Sequence, residues 1–317
     1  MLEISVLHNN KYILIYALCG FFLLCSQARG QSVVVPQAAS PNDHANGGVL
    51  VAQYPKMLDK YERDFDLYFL ELLRLALDKS KIPYVLEGVE LPVMVESRSA
   101  EFLKANQHMV HWLNASGGRE NTLKPIKVPL FKGLIGWRVF FIRAEDQAKF
   151  LKVKTKAQLA QFVAGQGHDW PDTQVLKDNG LKVRGLPSWR GLFEMLSHHR
   201  IDYFPRSIIE VERELRLFES LGLYVETSLV IRYPAAYYFF VNSDNKRLAN
   251  AIAIGLKQAI TDGDFDLLFN RHFSGIIQRA RLSERTIIPL SNRIDFPVAQ
   301  EDLWFNLRAE SPLSTAP

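Results

Sequence analysis

From about Ala144 the chain alternates without interruption between short apolar runs and amphipathic segments, and this constrains the fold more than any other feature. "PDTQVLKDNG" predicts a helix, with Pro171 in its first turn and Gly180 just past its end. "LKVRGL" predicts a strand, and "SWRGLFEMLSHHR" a helix capped by Ser188. "IDYFP" is a short strand, "SIIEVERELRLF" a helix, "AAYYFFVN" a strand and "NKRLANAIAIGLKQAITDG" a long amphipathic helix. Strands and helices in this order and of these lengths predict an α/β fold with mainly parallel sheets.

The preceding residues add elements of the same kind. "GVLVAQY" predicts a first strand, and "DFDLYFLELLRLALDKS" a helix whose apolar positions recur from Phe65 to Leu77. "PYVLEGVEL", "MVHWLN" and "LIGWRVFFIR" predict strands, "SAEFLKAN" and "KAQLAQFVA" helices, and "ASGGREN" a glycine loop.

At the amino terminus, Lys11 precedes the apolar run "YILIYALCGFFLLC", and "SQARGQS" follows. Charge, apolar core and small residues compose a cleavable signal peptide over 1–30, with Ala28 and Gly30 before the cut; cleavage after Ala28 is the alternative. The run is shorter than the roughly 20 residues of a spanning helix. Both cysteines, Cys19 and Cys25, fall inside this segment and neither follows a lipobox. The mature chain, beginning at Gln31, would lack disulfides, zinc–thiolate sites and cysteine nucleophiles. The expected location is periplasmic. Residues 31–47 read as a flexible lead-in. The net charge of +4 is spread along the chain with no basic block, which argues against nucleic acid as a partner.

Several stretches together resemble the bacterial extracellular solute-binding proteins of family 3, the group that includes amino-acid receptors of ABC importers. They are "YERDFDLYFLELLRLAL", "SGGRENTLKPIKVPL", "VFFIRAED", "KAQLAQFVAGQGHDWPDTQVL", "HRIDYFPRSIIEV" and "YYFFVNSDNKRLANAIAIGLKQAITDGDFDLLFNRHF". The resemblance runs from about Gly48 to Ser274. It implies a two-lobed type II periplasmic-binding-protein-like fold, each lobe a mainly parallel sheet flanked by helices, joined by two hinge strands. Lobe 1 would be 31–143 plus 238–317, and lobe 2, inserted, 144–237. "VFFIRAED" would be the first crossing, the last forty or so residues would pack back on lobe 1, and residues after Glu310 would form a loose tail. The resemblance further implies a monomer that holds a small solute in the cleft and presents it to an inner-membrane ABC permease or a sensor protein.

Arg119 is the leading binding candidate, because a guanidinium fork fits a carboxylate with two hydrogen bonds. Ser116 stands at the Ser/Thr-x-x-Arg spacing from it, and Gly117 leaves backbone N–H groups approachable. Tyr54, Trp112 and Trp170 are candidate walls, with Tyr237 and Tyr238 behind them. By the resemblance, Gly167 and His168 would offer lobe 2 contacts, His168 standing near a hydroxyl residue of the family. Arg206 and Ser207 fall where amino-acid receptors carry an acid for the ligand ammonium, and no acid appears until Glu210. A second arginine would favour a solute with two anionic groups, or a carboxylate without an amine. The alternatives stay open: Arg119 as a solvated loop residue, the aromatics as core, and Arg206 as a helix cap.

No Gly-x-Ser-x-Gly, His-Glu-x-x-His or Walker pattern is present. "SDNK" from Ser243 to Lys246 matches Ser-x-x-Lys but reads as a helix cap. His198 and His199 are adjacent on a helix, and the spacing of His108 and His111 puts them on opposite faces of a strand. No metal or cofactor is expected, and the chain is expected not to be an enzyme. A dehydratase-like enzyme in the same cleft is the alternative, as is a signalling partner that binds no solute.

Overall fold

The computed structural model describes residues 48–92, 94–294, 296 and 303–307, with the backbone alone for 60–64. The expected signal peptide, lead-in and terminal tail lie outside the described residues.

The first sheet system starts with β1 (Leu50–Met57) and β2 (Tyr84–Leu91), which pair in parallel over eight positions. Between them runs α1 (Lys60–Ser80). Tyr68, Phe69, Leu72, Leu73, Ala76 and Leu77 recur on one side of α1, and all are buried. Next come α2 (Glu96–Lys104) and β3 (Val110–Asn114). The Met109 N–H donates to the Gln53 carbonyl at 2.8 Å, tying the start of β3 to β1. "ASGGREN" is not an open loop: Ser116 caps a short helix, α3 (Gly117–Thr122), by accepting the Arg119 N–H. β4 (Leu123–Ile126) follows, and β11 (Tyr237–Asn242) lies between β3 and β4, antiparallel to both. α9 (Lys246–Thr261) covers α1, with Asn245 as its cap, as "SDNK" suggests.

The second sheet system is built on β5 (Trp137–Arg143), all seven residues of which are buried. After the short helices α4 (Gln147–Phe150) and α5 (Lys156–Leu159) come β6 (Val163–Gly167), α6 (Pro171–Asp178), β7 (Lys182–Leu186), α7 (Trp189–Ser197), β8 (Phe204–Ser207), α8 (Ile208–Leu217), β9 (Leu223–Val225) and β10 (Leu229–Arg232). "KAQLAQFVA" is thus helical only at its start, where Thr155 and Gln158 form a capping box; by Val163 it has become strand. Pro171 opens α6, and Ser188 caps α7. β6 and β7 pair in parallel, and a parallel bridge from Ala164 to Tyr203 carries them to β8. β5 runs antiparallel to β8, β9 and β10, so both sheet systems are mixed.

This pairing corrects two expectations. "VFFIRAED" is not a crossing: β5 is the central strand of the second system, and the chain crosses earlier, at 127–136. A fully buried strand reads alike in either role, and only its partners distinguish them. Nor do the last forty residues simply return to the first system. After α10 (Asp264–Ala280), β12 (Thr286–Pro289) pairs in parallel with β10. Only beyond it does Phe296 join Tyr238 and Phe240 in a cluster on the first system.

The chain returns to the first system at 233–236, and the two connecting segments lie against each other. The Tyr233 N–H donates to the Gly136 carbonyl at 3.1 Å, and Leu130 N–H to Tyr237 O at 3.0 Å. A Cβ on Gly136 would stand 2.0 Å from the Tyr233 carbonyl oxygen, so only glycine permits this contact. Among the described residues no helix is long and apolar enough to cross a membrane.

A second close approach gives a stability test. A Cβ on Gly255 of α9 would stand 1.7 Å from the carbonyl oxygen of Ala76 in α1. Gly255→Ala should force these helices apart and cost about 1–3 kcal/mol despite its better helix propensity. Urea unfolding of the purified variant measures this; unchanged stability would contradict the packing.

Candidate functional site

A cavity of about 510 Å³ opens where α2 and β3 of the first system face α6, α7 and α8 of the second. Its aromatic walls include Phe65, Trp112, Trp170, Trp189 and Tyr237. Trp112 is stacked on Phe69 at 5.2 Å, and its indole N–H donates to Asp66 at 2.7 Å.

The charges of the second system are fixed by ion pairs. Arg138, inside the apolar β5, donates to Asp172 at 2.8 Å, and Asp172 accepts the Tyr233 hydroxyl at 2.5 Å. Arg206 donates from Nε to both oxygens of Glu214, at 3.0 and 2.9 Å, and from Nη2 to Glu210 at 2.7 Å. Glu210 also accepts the Ser207 N–H at 2.9 Å as part of the capping box of α8. The Arg206 guanidinium lies 4.8 Å from the Trp170 ring centroid, a cation–π contact.

Across the cavity, Glu96 begins α2. Its Oε1 lies 3.1 Å from Arg119 Nη1 and accepts the Asn114 N–H at 2.8 Å. Arg119 Nη1 also donates to the Asn114 carbonyl at 2.7 Å. Burial raises the Glu96 pKa above the usual carboxylate range; Arg119 and the Asn114 amide oppose the shift, while Asp172 and Asp169 add to it. Burial also raises the Tyr237 pKa, and Glu96, Glu210 and Asp172 all push it further. Carboxylates from both sides of the cleft therefore converge on Tyr237.

Asp169 and Arg190 make polar contacts across the cleft. Asp169 accepts from the backbone N–H of Ser97 at 3.2 Å and from its hydroxyl at 2.8 Å. Val95, the N-cap residue of α2, supplies no side-chain cap, so Asp169 caps this helix from the opposite side. Arg190 donates to Asp59 at 3.3 Å.

Of the nine residues singled out from sequence, Trp112, Trp170 and Arg206 line the cavity. Arg119 stands behind Glu96 and is buried. Ser116 caps α3, and no side chain or backbone comes within 4 Å of where a Gly117 Cβ would be. Tyr54 is half-buried beside Trp112, at 6.3 Å between ring centroids. Gly167 packs under Trp170, whose indole would stand 2.4 Å from a Cβ there. The His168 N–H donates to Leu186 O at 3.1 Å, and its side chain is half-exposed. Composition and motifs did not single out Glu96, Arg138, Asp172 or Trp189. A charge inside an apolar strand, as in "WRVFFIR", was the available signal for Arg138. Glu96 depends on a contact that no local pattern encodes.

His108 and His111 are not on opposite faces. Their ring centroids are 5.1 Å apart, because β3 starts only at Val110 and the strand alternation does not reach His108. Burial lowers the His108 pKa to about 4 and takes that of His111 well below its ordinary value. His111 Nε2 lies 2.6 Å from Ser99 Oγ beside the cavity. The Trp112 N–H donates to His111 Nδ1 at 2.9 Å, so in neutral His111 the proton is on Nε2. That tautomer donates to Ser99 and cannot take its proton, which is the wrong arrangement for activating a serine. Among the described residues no group of three His, Cys, Asp or Glu side chains is placed to hold a metal ion.

Solved structures share this architecture. An ancestral arginine-binding protein bound to arginine is 14% identical, with a TM-score of 0.52 over 70% of this chain and 98% of that one. The fold is that of the two-lobed periplasmic binding proteins. A histidine kinase sensor domain with similarity to these binding proteins is 14% identical, with a TM-score of 0.52 over 71% of this chain and 96% of its own. The GluR0 ligand-binding core in complex with L-glutamate is 11% identical, with a TM-score of 0.53 over 71% and 98%. No protein-family model and no curated protein matches the sequence. In this fold the cavity lies between the lobes.

The raised pKa of Glu96 has a definite sign. The folded state favours the neutral carboxyl, so the contribution of Glu96 to stability is fully present below its unfolded pKa and is lost as pH rises through its folded one. Glu96→Gln mimics the neutral form. It should melt at a higher temperature than the parent at pH 7, with the gap closing as pH falls through the raised folded pKa and gone below about 4.3. Melting curves from pH 4 to 8 measure this. A variant less stable throughout would mean that the Arg119 pair outweighs burial.

Proposed function

We propose that this chain is an exported receptor for one small solute, which it holds between its lobes and presents to a membrane transporter or sensor. The observation that carries the reading is the inter-lobe cavity of about 510 Å³, walled by aromatic rings from both sides and furnished with a few fixed charges. Proteins of this fold hold arginine or L-glutamate, and one is the sensor domain of a histidine kinase. The amino-terminal segment 1–30 supports export to the periplasm. Strand membership supports lobes that meet at the crossings 127–136 and 233–236. Solute binding would hold the lobes together by hinge closure.

A carboxylate-bearing solute is the finer expectation from sequence, and it rests on Arg119 and Arg206. Both guanidiniums are already engaged, by Glu96 and by Glu214 with Glu210. A ligand carboxylate would have to displace one of these acids, so the geometry gives that reading less support than the sequence does.

A thermal-shift screen of the mature protein tests the receptor reading. The library should span amino acids, carboxylates, amines, sugars and short peptides. A true ligand at a hundred times its dissociation constant should add about 2.7 kcal/mol of stability. It should also reduce the radius of gyration in small-angle scattering if the lobes close on it. A library without a single hit would sink the proposal. Export has its own readout: the secreted chain should begin at Gln31, as amino-terminal sequencing would show.

A further inference from the structure

The charge balance of the cleft points to the class of solute, an inference that rests on the receptor reading. Five carboxylates line the cavity: Asp66, Glu96, Asp169, Asp172 and Glu210. Four guanidiniums face them: Arg138, Arg190, Arg206 and Arg213. Each positive group has a contact of its own. Arg138 is held by Asp172, Arg206 by Glu214 and Glu210, and Arg190 by Asp59, while Arg213 lies 4.7 Å from the Phe65 ring centroid. With the paired residues outside the lining included, Glu214 and Asp59 bring the carboxylates to seven, and Arg119 brings the guanidiniums to five. Among the described residues, and with Glu96 ionised, this set holds seven carboxylates against five guanidiniums.

Glu96 has one engaged oxygen and one that could meet a solute. Its Oε1 is shared by Arg119 and the Asn114 amide, whereas its Oε2 accepts no hydrogen bond among the described residues. The residue lines the cavity, and the rings of Trp112 and Tyr237 lie on the same wall. A carboxylate with an oxygen to spare, in a cavity also lined by aromatic rings, is an environment suited to an organic ammonium. Arg119, the one guanidinium behind this wall, is covered on that side by Glu96 itself.

We propose that the cleft takes an organic amine in its ammonium form, with no carboxylate, and that Glu96 is the acid that receives the charge. Arg119 then acts as a positioning residue: it holds Glu96 Oε1 and leaves Oε2 for the solute. The proposal makes the ligand class the opposite of what the arginines suggest when counted alone.

The test compares each of several L-amino acids with the amine left when its carboxylate is removed, alongside aliphatic diamines and dicarboxylates. The readouts are thermal shift and calorimetry at pH 7 on the mature protein. Amines should bind at least tenfold more tightly than the parent amino acids, and binding should weaken as salt is raised. Glu96→Gln should lose tenfold or more in amine affinity while the free variant melts no lower than the parent. Glu96→Asp, which keeps the charge, should retain most of the binding. If amino acids or dicarboxylates bind and their amine counterparts do not, the amine proposal is overturned and the receptor reading stands. Amine affinity unchanged in Glu96→Gln would overturn the role of Glu96. Silence across all four classes would overturn the amine proposal, while the receptor reading would fall only if the wider library of the thermal-shift screen were silent too.

Discussion

Arg206 donates to both oxygens of Glu214 and to Glu210, and the placement of the cleft floor depends on this buried cluster. It joins the end of β8 to two successive turns of α8, so the helix cannot rotate or slide without separating buried charges. Removing one partner of such a pair costs about 3–5 kcal/mol, because the other is left charged and dry. Beside it, Arg138 ties β5 to the start of α6 through Asp172, and Tyr233 of the second crossing donates to the same carboxylate. The floor, one wall and a crossing strand are thus locked together by two guanidiniums. On the opposite wall Arg119 and Glu96 join α3 to α2, but there burial works against the carboxylate charge that makes the pair. A cleft built this way uses its positive charge to hold its own shape. What remains to act on a solute is the part of the acids left over.

The local signals in the sequence carried much of the fold. The run from α6 to α8 is legible because Pro171 and Ser188 mark the starts of α6 and α7 and short apolar runs separate the helices, whereas β6 is not, since the "FVA" at its start continues a helical pattern. Partnership between strands was not legible in the same way. β5 is apolar throughout, so it fits a hinge or a sheet centre equally well until β8, β9 and β10 are found beside it. β12 is a four-residue strand at the end of a long helical stretch, and nothing local says which edge it joins.

The site was less legible for the same physical reason. Trp112, Trp170 and Arg206 reach the cavity, and each stands out by residue type. The role of Arg119 turns on Glu96, more than twenty positions earlier, and that of Arg206 on Glu214, two turns into the next helix. A charged side chain announces that it needs a partner, but the sequence does not say whether the partner is a ligand or another part of the chain. Composition is blind to that distinction, and only the folded geometry separates a binding arginine from a structural one.

The contact between Asp169 and the start of α2 has one more consequence. A helix whose cap is carried by the other lobe has a first turn whose stability depends on the angle between the lobes. Were the lobes to part, the amide of Ser97 would lose its acceptor and that turn would fray. When they meet, the turn is completed. Glu96, which would greet the solute, sits on that same turn. If the lobes move as the proposed function requires, the beginning of α2 would turn a rigid-body rotation into a local order–disorder change at the mouth of the cleft, a change of surface rather than of shape.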